Sequence, residues 1–239
     1  MRTTKAILFS LDALTKAKSE RDRVDERIPE LSVTQFPKLL HRLSLTDIQH
    51  LLQSIIIAFN ACIDQSIRYQ FTSPSLTEII ERALKITLRR EAKPEEVSEV
   101  LQCFSDDSPI EFSKRMIMYL DILQRSGYIM GIVANLPLPL TAVMERFESA
   151  SIMKYFWTIV LSSDYGVLKP SDTLFKSAIE SLQCQEHEVI IVGSNLERDL
   201  LPLQNMASQK IYFNSRKKLE APPEGVIAVS SLDELRTIL

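Results

Sequence analysis

Five short apolar runs punctuate the chain: residues 5–11 (KAILFSL), 128–134 (YIMGIVA), 188–193 (EVIIVG), 210–213 (KIYF) and 225–229 (GVIAV). They are rich in Val and Ile and show no apolar-polar alternation, the pattern of strands covered on both faces in a parallel sheet. The run at 128–134 stops at Asn135-Leu136-Pro137, a turn signal. The segments between the runs have helical spacing. Phe112, Met116, Tyr119, Leu120 and Leu123 recur along one face of 111–125, and Gly127 follows as a cap. Residues 171–182 open on Ser171-Asp172 and set Leu174, Phe175, Ala178, Ile179 and Leu182 on one face. Residues 196–206 and 231–239 also read as helices, with Pro202 in the first turns of the former. Strand and helix in alternation predict an α/β fold with a doubly wound parallel sheet.

Residues 16–110 break that rhythm. They hold helical patterns at 46–70, 76–92 and 94–104, broken at Ser73-Pro74 and Pro94, and no buried strand is predicted among them. A charge-rich stretch at 19–31 reads as a solvated crossing. The expected organisation is a core domain of residues 1–15 and 111–239 with an all-helical insert at 16–110. The apolar run at 51–62 contains Gln53, Ser54 and Asn60; it is too short to cross a bilayer and reads as a buried helix.

Composition narrows the function classes. Of 239 residues, 45% are hydrophobic and 25% charged, enough apolar material for a well-buried core. The net charge of -3 and the absence of a long like-charge block argue against nucleic-acid and membrane surfaces. Arg89-Arg90 and Arg216-Lys217-Lys218 read as solvated surface. Cys62, Cys103 and Cys184 are odd in number and far apart, which suits reduced, partly buried thiols in a cytoplasmic protein rather than a disulfide framework or a CxxC site. No signal-peptide pattern opens the chain. His41, His50 and His187 have no metal-ligand spacing. With five glycines and no GxGxxG after a strand, a dinucleotide fingerprint is missing.

In a parallel sheet the reactive side chains sit beyond the carboxyl ends of the strands. Collected there are Ser10 and Asp12, then Ala134 and Asn135, then Lys169 within VLSSDYGVLKPSDTLF, then Gly193 to Asp199 within GSNLERD. In order and spacing these strings resemble the four motifs of the haloacid dehalogenase superfamily, with a helical cap inserted after the first strand. ILFSLDALT resembles the first motif, an apolar strand ending in two aspartates one residue apart. GIVANLP resembles the second, in which a serine or threonine precedes the asparagine. The string around Lys169, with Ser162, Gly166, Pro170 and Phe175, resembles the third, and VIIVGSNLERDL the fourth, which reads glycine, aspartate and a further aspartate.

The resemblance implies a Rossmann-like core and phosphoryl or dehalogenation chemistry. It implies a first aspartate as nucleophile, a second as general acid and base, a hydroxyl and a lysine holding the transferring group, and a fourth-motif acid helping to bind Mg²⁺. This chain departs at three of those positions. Ser10 stands where the nucleophilic carboxylate belongs, and a serine hydroxyl needs an adjacent base that no histidine here supplies. Ala134 replaces the hydroxyl donor and Ser194 the fourth-motif aspartate. Asp12, Lys169 and Asp199 are retained. Mg²⁺ loses two anionic ligands, leaving Asp12 and Asp199 to bind it weakly if at all. No cofactor is expected.

The expectation is therefore a pseudoenzyme that has lost phosphohydrolase activity. It would act by binding a partner protein or a small anionic ligand through Asp12, Asn135, Lys169 and Asn195, in a crevice that loses acids but keeps Lys169. Two alternatives stand beside it. One is a weak or altered phosphatase, acting on a small phosphorylated substrate, that uses Asp12 as base to activate water or a carboxylate supplied by the cap. The other is purely structural: Lys169, Asp12 and Asp199 pair with one another, and Ser10 and Ser194 are small polar fillers. Tyr155, Phe156 and Trp157 are expected in the core.

Overall fold

The computed structural model of the chain describes residues 4–15, 39, 42–69, 72–106, 110–214 and 222–239. Six strands form one sheet: β1 (Ala6–Ser10), β2 (Ile129–Ala134), β3 (Thr158–Leu161), β4 (Val189–Gly193), β5 (Gln209–Phe213) and β6 (Val226–Val229). Their order is β3-β2-β1-β4-β5-β6 and every pairing is parallel. From β1 the chain builds outward to β3, then returns to β4 on the other side of β1. The sheet therefore reverses direction between β1 and β4, where Ala6 pairs with Val189 and Phe9 with Val192. At such a switch point the connections leave to opposite faces, and a crevice opens beyond the carboxyl ends of the strands.

All five residues of β1 and of β4 are buried, as an unalternating apolar run in a central parallel strand requires. Successive side chains point to opposite faces and feed two apolar layers. On one face Ile7 and Phe9 join Ile132, Val192 and Phe147, and the same layer runs on through Ile55, Phe59, Ile80 and Leu84. On the other face Leu8, Val133 and Ile191 meet Leu174, Phe175 and Ile179.

Nine α-helices appear among the described residues. After β1 comes a single turn, α1 (Leu11–Leu14), then α2 (Leu45–Tyr69), α3 (Leu76–Leu88) and α4 (Pro94–Asp106). α5 (Lys114–Arg125) precedes β2, α6 (Leu140–Ser149) follows it, α7 (Ser162–Tyr165) and α8 (Thr173–Ser181) follow β3, and α9 (Leu232–Ile238) follows β6. α5 is capped at its start by the Ser113 side chain, which accepts from Met116 N–H, and ends before Gly127 at φ +85°. Between α3 and α4, Glu96 is buried and takes both amino groups of Arg90, at 2.9 and 2.5 Å, and the Lys93 N–H at 2.8 Å. Arg90 is thus tied into an ion pair and is not plain solvated surface, whereas Arg89 is exposed.

The structure corrects several other expectations. A sixth strand, β3, exists: it has four residues, only two of them buried, and lies at the sheet edge, too short and too half-wet to read as an apolar run. Residues 196–206 are not a regular helix. Leu196–Leu200 is one wide turn closed by Leu201 N–H to the Leu196 carbonyl, followed by a tight turn at Leu201–Leu203 that contains Pro202. Phe112 lies ahead of α5 and bridges to Thr15. The run at 51–62 is a two-sided stretch of α2, with Ile55, Ile56 and Phe59 buried but Ile57 and Cys62 exposed. Trp157 is 75% exposed, while Tyr155 and Phe156 are buried. Phe156 packs on Phe147, and in an extended backbone the next side chain points the other way. Among the described residues no helix is long and apolar enough to cross a membrane. The stretches 19–31 and 216–218, and His41, lie outside the described residues.

Candidate active site

Four connections deliver side chains to the carboxyl ends of β1 and β4. Ser10 is the last residue of β1 and is wholly buried; Asp12 follows in α1 and is partly exposed. Ala134, buried, ends β2. Lys169 precedes Pro170 through a cis peptide bond, in the loop before α8. Ser194, Asn195 and Asp199 belong to the turn after β4. The fold thus brings together the positions picked out in sequence from four separate motifs.

Their contacts run inward. The Lys169 ammonium lies 3.1 Å from Asp199 Oδ1, and both side chains are fully shielded from solvent. It also donates to Ser10 Oγ at 3.2 Å and sits 6.0 Å from the centre of the Phe175 ring. The other Asp199 oxygen accepts the backbone N–H groups of Ser194 and Asn195, both at 3.0 Å. Gly193 makes this turn possible: a Cβ there would stand 2.6 Å from the Asp199 Cβ. Asn135 does not face the crevice as a free ligand group. It clamps the Lys169 backbone, accepting from its N–H at 2.8 Å and donating to its carbonyl at 3.2 Å. Asn195 is exposed and caps the wide turn by accepting from Arg198 N–H at 2.9 Å. Ser162 in turn accepts from Leu136 N–H at 3.1 Å and so holds the loop after Asn135.

Sequence reasoning missed Arg198. Its guanidinium crosses the mouth of the cluster, 3.3 Å from Asp12 Oδ2, with its Nε 3.7 Å from Asp199 Oδ1. The residue sits inside the GSNLERD string, but nothing local shows that its side chain reaches back to α1.

Burial lowers the pKa of the Lys169 ammonium to about 8, although Asp199 beside it pulls upward. Burial acts against the Asp199 carboxylate too, but Lys169, Arg198 and the backbone N–H donors outweigh it and hold the group below the usual carboxylate range. Among the described residues the cluster sets two carboxylates, Asp12 and Asp199, against two basic side chains, Lys169 and Arg198.

A sequence model of haloacid dehalogenase-like hydrolases matches residues 42–210, well over half of the chain. The chain belongs to that family. The matched span holds Ala134, Lys169, Ser194 and Asp199 but begins after Ser10 and Asp12. Among curated relatives, the pyrimidine 5'-nucleotidase YjjG of Escherichia coli (strain K12) is 32% identical over 120 residues, 48% of this chain and 51% of that protein. The chain therefore matches about half the length of that relative. Solved structures of the family share the fold over nearly the whole length. A HAD phosphatase from Thermococcus onnurineus is 20% identical with a TM-score of 0.53, covering 98% of this chain and 97% of its own. A 2-haloacid dehalogenase from Pseudomonas syringae pv. Tomato DC3000 is 14% identical with a TM-score of 0.62 and the same coverage.

The family implies Mg²⁺ at this site, and the residues present do not fit it. Among the described residues no group of three or more His, Cys, Asp or Glu side chains comes together. Asp199 Oδ2 already accepts two N–H groups, Oδ1 is ion-paired with the Lys169 ammonium but accepts no hydrogen bond among the described residues, and Asp12 faces a guanidinium. Mg²⁺ gives up its water only to carboxylate and substrate oxygens in a nearly ideal octahedron. Here the first-motif oxygen is the Ser10 hydroxyl, which accepts from Lys169.

Proposed function

We propose that this family member has lost phosphohydrolase activity and acts by binding. The observation that carries the proposal is the closed cluster of Ser10, Lys169 and Asp199. The lysine that would hold a transferring group is buried and bonded to Ser10 and Asp199, and no carboxylate stands at position 10 to attack. A serine in that place needs a base; Asp12 is turned to Arg198, and the described histidines, His50 and His187, are exposed and outside the cluster. A sealed lysine favours a protein partner over a small anion held at Lys169, because an anion has to displace Asp199 before it can bind there. Calorimetric titration with inorganic phosphate and a panel of phosphorylated metabolites tests this choice. Silence is expected. Binding that disappears in Lys169→Met would return the site to a small anionic ligand.

The second reading is a weak or altered phosphatase. The relatives support it: they are hydrolases by name, and one is a nucleotidase. Asp12 also remains at the mouth of the crevice, where it could serve as a base toward water. Turnover of a phosphate ester that scales with protein and vanishes in Asp12→Asn would favour this reading over the first.

A further inference from the structure

Two carboxylates, Asp12 and Asp199, converge beyond β1 and β4, and something must offset them. Lys169 reaches Asp199 from below, inside the protein. Arg198 reaches both from the solvent side, with 19% of its side chain exposed. Its guanidinium, 186 positions along the chain from Asp12, lies between α1 and the turn after β4.

We infer that Arg198 is a built-in cation that replaces the metal of this site, tying Asp12 to the turn after β4 and making the folded state indifferent to Mg²⁺. The inference rests on the reading that the site no longer works through a metal. Among the described residues the charges balance without an ion: two carboxylates meet one ammonium and one guanidinium. An arriving Mg²⁺ would meet no uncompensated acid and would sit beside a fixed positive charge, a repulsion that a low-dielectric site amplifies. Arg198 also explains why losing the acids at positions 10 and 194 is tolerated. With three or four carboxylates the cluster would need a divalent ion; with two it needs only the guanidinium that the turn itself supplies. The planar fork suits this task, since it can face two carboxylates at once while staying charged at any physiological pH.

The inference predicts that restoring the carboxylates is not enough to restore metal binding. Titration calorimetry with MgCl₂ is expected to give no heat for the natural chain, weak binding for Ser10→Asp/Ser194→Asp, and binding at least about tenfold tighter once Arg198→Asn is added. Should the double variant bind as tightly as the triple one, the role given to Arg198 is wrong while the loss of the metal site stands. Should the natural chain bind Mg²⁺ at micromolar concentration, both readings fall. Because added acids could prevent folding, the single variant Arg198→Asn provides a second measurement. In EDTA it is expected to melt about 2–4 °C below the natural chain and to recover part of that loss in millimolar MgCl₂, while Arg198→Lys melts closer to the natural chain and the natural chain melts alike in both buffers. An Arg198→Asn variant that melts with the natural chain in both buffers overturns the inference.

Discussion

The Lys169 ammonium and the Asp199 carboxylate stand 3.1 Å apart with neither side chain reached by solvent. Lys169 comes from the loop before α8 and Asp199 from the turn after β4, so the pair joins two separate connections. Removing one member leaves the other charge buried without its nearest opposite charge, at a cost of about 3–5 kcal/mol. Denaturant unfolding of Lys169→Met and of Asp199→Asn is expected to show losses in that range. The Lys169→Met/Asp199→Asn double variant should lose less than the sum of the single ones, since both charges then leave together. Additive losses would mean the two residues stabilise the fold separately.

The close approach of Asp199 to Gly193 makes a second prediction. A methyl group there collides with the Asp199 Cβ at 2.6 Å and comes within 3.1 Å of the Leu200 side chain. Gly193→Ala should therefore destabilise by about 1–3 kcal/mol, the usual range for overpacking a filled interior. It should also weaken the contacts of Asp199 with Ser194 and Asn195. Amide exchange at those two residues is the check, and protection equal to that of the natural chain would show that the turn can shift without cost.

The ion pair between α3 and α4 sets a pH dependence. Bonding to Arg90, with help from the Lys93 N–H, holds Glu96 at a pKa of about 2, against 4.5 for a free glutamate. A carboxyl whose folded pKa is depressed binds fewer protons than the unfolded chain between those values, so stability rises with pH across the interval. The contribution is complete above about pH 4.5 and is lost as pH falls toward 2. Glu96→Gln should cost about 1–2 kcal/mol at neutral pH and flatten the acid limb of a stability profile below pH 4.5. An acid limb unchanged by the substitution would assign it to other carboxylates.

Trp157, the single tryptophan, is 75% exposed immediately before an edge strand. Native fluorescence should be red-shifted and quenched by iodide nearly as strongly as in the unfolded chain. Native emission that is blue-shifted and protected from iodide would mean that another surface covers this residue in solution.

How much of this was legible in the sequence follows from how far each feature reaches. β1, β2 and β4 could be read because a strand buried on both faces writes an unbroken apolar run. β3 could not, since two of its four residues are half-exposed and the aromatic residues before it resemble core. Positions 10, 12, 134, 169, 194 and 199 were recoverable because each follows a strand or sits in a motif string, and the topology alone gathers them. What the sequence hid was the wiring. That Asn135 clamps the Lys169 backbone, that Lys169 is sealed against Asp199, and that Arg198 reaches Asp12 are facts of side-chain direction across long separations. No periodicity records them. The wide turn at Leu196–Leu200 was misread as helix for a related reason: its apolar residues keep nearly helical spacing while the backbone accommodates Asp199 against Gly193.

The most direct test of the central claim is a phosphatase assay on an aryl phosphate, with and without Mg²⁺. It compares the natural chain with Ser10→Asp/Ser194→Asp/Arg198→Asn. The account predicts no turnover by the natural chain in either buffer, and Mg²⁺-dependent turnover once the carboxylates return and the guanidinium is gone. Turnover by the natural chain that is abolished in Asp12→Asn would contradict it and make this protein a working hydrolase without the usual nucleophile.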